Sequence, residues 1–283
     1  MLSLAIAIAI SASIIRADST LKESRLKPQY FTRNRKLPFQ KLLKYLLSMH
    51  KASSQAALNN FLEREGITMS QQALSKARSK FDHTPFLKLF TAVRDAFYGT
   101  EYIDTLRKYN NKFLIAIDGS DTSLPNLPSL LEKFGGTGSF KELYFKRWRI
   151  EVEYDVVKNK LELPCFGGFS ENVIMQDFWI TMYLANMVAI IKNEADQEIA
   201  EERKDKDNKY EYQANVNTLI GSMRDRLADA VFSRNPAHRQ KKLERILLEV
   251  KKSVVPIRPD DGNTPRYENT RKSLHHHNKR HNL

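Results

Sequence analysis

Four residues of the 283-residue chain have types and spacing that could do chemistry together: Tyr144, Arg147, Glu151 and Lys158. They lie in KELYFKRWRIEVEYDVVKNKLEL, whose apolar pattern predicts a helix from Phe140 to about Leu163. At roughly 100° per residue the four fall within about a 60° arc of one helix face. A carboxylate set among two cations and a phenol suits a polyanionic substrate beside a metal ion. The acid would ligate the metal while Arg147 and Lys158 hold phosphate oxygens. Spacing alone leaves a second reading open, a solvated amphipathic helix in which Arg147 and Glu151 form an ordinary i,i+4 ion pair.

Tyr144-x2-Arg147-x3-Glu151-x6-Lys158 resembles, residue for residue, the Y-R-E-K signature of the IS-four type of DDE transposases, and the surrounding ELYFKRWRIE is similar as well. In LIAIDGSDTSLP, Asp118 resembles the first catalytic aspartate of that family. LPFQKLLKYLLSMHKASSQAALNNFLE resembles its N-terminal helical DNA-binding region. The similarity runs from about Leu37 to Ile191. It implies an RNase-H-like nuclease fold, with Asp118 and Glu151 as catalytic metal ligands for Mg²⁺. It also implies Tyr144, Arg147 and Lys158 as DNA-facing groups, and double-stranded DNA at the element's terminal repeats as partner.

The chain departs from that pattern in one decisive place. A DDE nuclease gathers a second aspartate, from a later strand, around the same metal pair. Only 32 residues separate Asp118 from Glu151. Strands average about five or six residues and a crossover helix needs about a dozen, so the intervening strands do not fit. The seam falls near Gly136-Thr137-Gly138-Ser139. Asp121 is too close to Asp118 to be its independent counterpart, and Asp155 lies one turn past Glu151. Two carboxylates hold Mg²⁺ poorly. The expectation is a transposase derivative that binds DNA but has lost strand cleavage and transfer. Two other readings stay open: an active enzyme completed by another carboxylate or a partner chain, and a non-enzymatic regulator that inhibits intact transposase. Homodimerisation or pairing with intact transposase fits either.

The elements that must position these groups begin upstream. SSQAALNNFLEREGITMSQQALSKARSKF predicts two helices joined at Gly66, with Ser53 or Ser54 capping the first and Thr68 or Ser70 the second. This is the outline of a helix-turn-helix. In its second helix Gln71, Gln72, Ser75, Lys76 and Arg78 are types that reach base edges and phosphates, Lys76 and Arg78 favouring phosphate. KFLIAIDG (Lys112 to Gly119) predicts a buried strand ending at Asp118. A long helix is predicted from Glu171 to about Glu202 and another near His238 to Lys251. Asp196 to Lys209 reads as a solvated charge run, and Trp148 and Trp179 as core or interface aromatics.

Lys and Arg number 46 against 33 acids, a net charge of +13, which favours a polyanionic partner. The single cysteine, Cys165, excludes an internal disulfide and fits a cytoplasmic location. From Arg16 to Lys51 there are ten basic residues and two acids, and Arg234 to Leu283 is again basic, ending in SLHHHNKRHNL. His275, His276, His277 and His281 read as part of a disordered polar tail. MLSLAIAIAISASII has the apolar character of a signal-peptide core. No Lys or Arg precedes it, however, the run is too short to span a bilayer, and the basic stretch after it opposes translocation. The expectation is a buried amphipathic segment or a misplaced start, with no membrane partner. The resulting fold class is α+β, mainly α, in four segments. Residues 1–36 form a basic N-terminal segment and 37–110 a helical DNA-binding region. Residues 111–191 form a truncated RNase-H-like remnant, and 192–283 a charged helical and disordered basic tail.

Overall fold

The computed structural model describes residues 2–33, 36–48, 54–98, 156, 160–161, 170–223 and 226–257. Among these the chain is mainly helical. The helices are α1 (Leu2–Arg16), α2 (Asp18–Ser24), α3 (Phe39–Leu47), α4 (Ser54–Glu65), α5 (Gln71–Arg78), α6 (Thr84–Tyr98), α7 (Glu171–Glu202), α8 (Val216–Met223), α9 (Arg226–Phe232) and α10 (Pro236–Lys252). Two four-residue strands, β1 (Glu211–Ala214) and β2 (Val254–Ile257), pair antiparallel with Glu211 opposite Ile257 and Ala214 opposite Val254. The predicted strand at Lys112 to Gly119 lies outside the described residues, as do Cys165, Trp148 and the four tail histidines.

Local signals set the helix ends. Ser70 accepts the Ala73 N–H to cap α5, and Ser170 accepts the Val173 N–H to cap α7. Asn235 accepts from Ala237 and His238 ahead of Pro236, which opens α10 with no N–H to satisfy. α4 ends at Gly66, whose φ is +65°. From there Gly66 N–H donates to Glu63 O (3.2 Å) and Ile67 N–H to Leu62 O (2.9 Å), a Schellman pair that only a left-handed residue permits.

One hydrophobic core runs through all the elements. α1 lies at its centre, packed on α6, α7, α9 and α10, with Leu4, Ala7, Ile8, Ala12 and Ile15 at most 3% exposed. Alternating apolar residues with period near four make this face, so the export-like segment is a core helix. Its polar positions are satisfied from α7. Tyr183 Oη donates to Ser11 Oγ (3.0 Å), Ser11 donates to Ala7 O, and Glu194 accepts the Leu4 N–H (3.0 Å) at the positive end of α1. α7 is the one described helix long and apolar enough to cross a bilayer, and α1 with α2 qualifies only as a pair bent by 62°. Ile180, Leu184, Met187, Val188 and Ile191 of α7 are all buried in the protein core. Val156 and Leu161, in the C-terminal part of the predicted Glu-bearing helix, also join that core.

Asp196 corrects the reading of a solvated charge run. It is 8% exposed, accepts the Ala214 N–H (2.8 Å) with one oxygen and Lys192 (2.6 Å) with the other, and thereby hangs β1 on α7.

A second tie joins α3, α4, α9 and α10. Lys44 meets both Glu65 (2.8 Å) and Asp229 (2.8 Å), Lys41 meets Glu65 (3.1 Å), and Lys242 meets Asp229 (3.0 Å). Burial works against charge on Asp229 and Glu65. The hydrogen bonds and charges of their lysines outweigh it and hold both carboxyls below their ordinary values of 3.8 and 4.5. Carboxyls lowered by folding stabilise the fold above their ordinary range, and that contribution is lost as pH falls through 4.5 and below. The melting temperature should therefore drop between about pH 5 and pH 3, and Lys44→Met should flatten that drop. A melt series in which both proteins fall in parallel would show that these pairs are not responsible.

Candidate nucleic-acid interface

α4 and α5 form the predicted helix pair. Leu58, Phe61 and Leu62 of α4 and Leu74 of α5 are buried, which fixes which side of α5 faces out. Gln72, Ser75 and Lys76 are exposed away from the Leu74 stripe, and Gln71, in line with Leu74, is exposed at the first turn. A surface of amides, a hydroxyl and an ammonium on a short capped helix can meet base edges and phosphate oxygens without first losing internal partners of Lys76.

Arg78 is a correction. It stands four residues after Leu74, hence on the same helix stripe, and is 8% exposed. Its guanidinium donates from Nε to Gln176 Oε1 (2.6 Å), and from Nη2 to Asp177 Oδ1 (2.6 Å) and Val173 O (3.1 Å). Gln176 answers with Nε2 on Arg78 O (3.3 Å) and Phe81 O (2.8 Å), and Asn172 donates to Phe81 O (2.9 Å). The planar fork of arginine suits this work. Arg78 staples the C-terminal end of α5 to the first turns of α7, and so it orients the exposed face rather than forming part of it.

The fold then brings the N-terminal basic segment alongside. Arg25 and Phe81 form an antiparallel bridge, with Leu26 N–H on Lys80 O (3.0 Å) and Asp82 N–H on Ser24 O (3.0 Å). Lys27 and Lys80 both reach the Tyr30 ring, their ammonium nitrogens 6.0 and 5.8 Å from its centroid. The turn is completed by Phe31, a non-glycine residue at φ 60°. Its ring packs edge-on against Phe39 (5.3 Å) and Phe81 (6.1 Å). A left-handed residue with a side chain is strained, and that aromatic contact holds it there. Tyr30 is left half-buried at the surface.

Charge on this surface is one-sided. Of the nearby acids, Glu23 is engaged by Lys88, and Asp82 accepts the Thr84 N–H at the start of α6. Lys27, Lys76 and Lys80 pair with no carboxylate among the described residues. Sequence reasoning noted the basic stretch but missed Lys27, Tyr30 and Lys80 as neighbours of α5. The bridge that joins them links positions more than fifty apart in the chain, and no local pattern signals it.

The catalytic expectations fall elsewhere. Asp118, Tyr144, Arg147, Glu151 and Lys158 lie outside the described residues, as do Asp121 and Asp155. Among the described residues no group of three or more His, Cys, Asp or Glu is placed to hold a metal ion. No family model matches the chain, and no curated protein or solved structure matches it either.

Proposed function

We propose that this chain binds duplex DNA through the exposed face of α5 and the adjoining Lys27–Tyr30–Lys80 cluster. We propose further that it derives from an insertion-sequence transposase whose strand-cleavage chemistry is lost. The observation that carries DNA binding is the polar outer face of a capped helix lying beside cations that no carboxylate neutralises. Gln71, Gln72 and Ser75 would meet base edges, while Lys76, Lys80 and Lys27 would meet phosphates. The net charge of +13 supports the same partner. The ancestry rests on Tyr144, Arg147, Glu151 and Lys158 at the Y-R-E-K spacing with Asp118 upstream. The loss of chemistry rests on the missing second aspartate and the 32 residues left between Asp118 and Glu151. Mg²⁺ would bind that half-built site weakly.

Fluorescence anisotropy on a duplex of about two helical turns tests the binding face. Affinity should fall steeply with salt, because each neutralised phosphate adds about 0.9 to the log–log slope. Lys76→Ala and Lys80→Ala should each make the slope shallower by about one unit while leaving the melting temperature unchanged. With Mg²⁺ added, supercoiled DNA should stay uncut. Unaltered slopes in both variants would remove α5 from the interface, and cleavage that Glu151→Ala abolishes would restore the enzyme.

A further inference from the structure

A second concentration of positive charge sits at the junction of α1, α9 and α10, on groups that the DNA-binding proposal does not use. The C-terminal end of α1 carries Arg16, and the turn between α9 and α10 carries Arg234, with Arg239 one turn into α10. Arg16 Nη2 and Arg239 Nη2 both donate to the same oxygen, Ser233 O, at 2.6 and 3.1 Å. Two guanidinium groups on one carbonyl are immediate neighbours. Like charges so placed repel each other unless an anion intervenes. No carboxylate pairs with Arg16, Arg234 or Arg239 among the described residues. The Nε–H of Arg239 is buried and has no acceptor. Burial, then the positive charges of Arg239 and Arg234, hold the Arg16 guanidinium below its ordinary value. A protein that gathers arginines without an acid leaves unspent donors in the fork geometry that oxyanions fill.

The N-terminus of α10 is not the reason for the cluster. Asn235 already takes the Ala237 and His238 N–H groups at the start of α10. Ser233 O, just past the C-terminal end of α9, takes one donor each from Arg16 and Arg239, and the donors that remain suit a tetrahedral oxyanion with several acceptor oxygens.

We infer that Arg16, Arg234 and Arg239 form a phosphate-binding site at the α1–α9–α10 junction, separate from the α5 surface. Its occupant is a phosphate group, supplied either as a free small anion or as a phosphodiester of nucleic acid. Binding there would tie the end of the core helix α1 to α10 more firmly, since Arg16 and Arg239 come from those two elements.

The test uses the full chain in chloride buffer, with inorganic phosphate replacing chloride at constant ionic strength. Phosphate should raise the melting temperature by several degrees, with a saturable dose dependence. Arg234 is exposed and makes no hydrogen bond among the described residues, so Arg234→Gln should leave the phosphate-free melting temperature equal or slightly higher, by easing repulsion. The same variant should lose most of the phosphate response. Lys241→Gln, which removes an equal charge from another face of α10, should keep it. A phosphate response absent in the parent chain, or equal in Arg234→Gln and the parent, overturns the site. Anisotropy with duplex DNA separates the sources. A slope shallower by about one unit in Arg234→Gln assigns the site to a phosphodiester, and an unchanged slope assigns it to a free anion. Because Lys76 and Lys80 take no part, failure here leaves the α5 interface standing, and failure there leaves this site standing.

Discussion

Replacing Arg78 by alanine is expected to lower stability by about 3 kcal/mol. For a domain of this size that is roughly 6–12 °C in melting temperature. The reason is what the guanidinium leaves behind. Gln176, fully buried, loses the donor on its Oε1, and Asp177, whose side chain is 16% exposed, loses the cation 2.6 Å away. Truncation of one partner in such a pair costs the desolvation of the other, which exceeds the net worth of the pair itself. Below its melting temperature the variant should bind DNA with the salt slope of the parent chain, since Arg78 contributes no phosphate contact. That pairing of outcomes separates it from Lys76→Ala, which should do the reverse. A stable Arg78→Ala protein with a shallower slope would return Arg78 to the DNA surface and undo the account of how α5 is oriented.

The mistake about Arg78 also marks what a sequence can show. Residue type suggested a phosphate contact, yet the spacing Leu74-x3-Arg78 already put the arginine on the apolar stripe. Lys76, two residues from Leu74, sits on the opposite side. Where periodicity and type agree, the sequence reads well. Glu171 to Glu202 and the pair around Gly66 appear at their predicted places, and α10 differs from its predicted span by one or two residues. Both strands escaped notice because each is four residues long. Val254–Ile257 contains Pro256, which cannot donate to a ladder and reads as a break, yet it is tolerated in a two-stranded ribbon. Asp196 looked solvated because its neighbours in sequence are charged, and its actual partner, Ala214 N–H, lies eighteen residues on. The Lys27–Tyr30–Lys80 cluster was illegible for a similar reason. Charge density is visible along a chain, but the surface it lands on is decided by tertiary pairing.

At the N-terminus the apolar run had the character of an export signal, while its flanking charges favoured a buried segment, and there the structure makes its largest prediction. Deleting residues 1–17 should abolish cooperative folding. Leu4, Ile8 and Ile15, all 3% exposed or less, would each forfeit about 1.5–3 kcal/mol of burial, and Ala7 and Ala12 add to the loss. The total is comparable with the whole stability of an ordinary domain, about 5–15 kcal/mol, before any cost of the void left between α6, α7, α9 and α10. Polar groups compound the loss. Burial pushes the Tyr183 hydroxyl up to about 12, and without Ser11 that hydroxyl has no acceptor for its proton in an apolar cavity. Glu194 loses the Leu4 N–H at the end of a helix whose dipole favours its charge. Ile8→Ala supplies a graded version, expected to cost about 3 kcal/mol while retaining a folded state. Circular dichroism melts of the parent chain, Ile8→Ala and the truncated chain should rank in that order, with no cooperative transition in the last. A truncated protein that melts cooperatively at the parent temperature would mean that α1 is dispensable, and the core as described would be wrong.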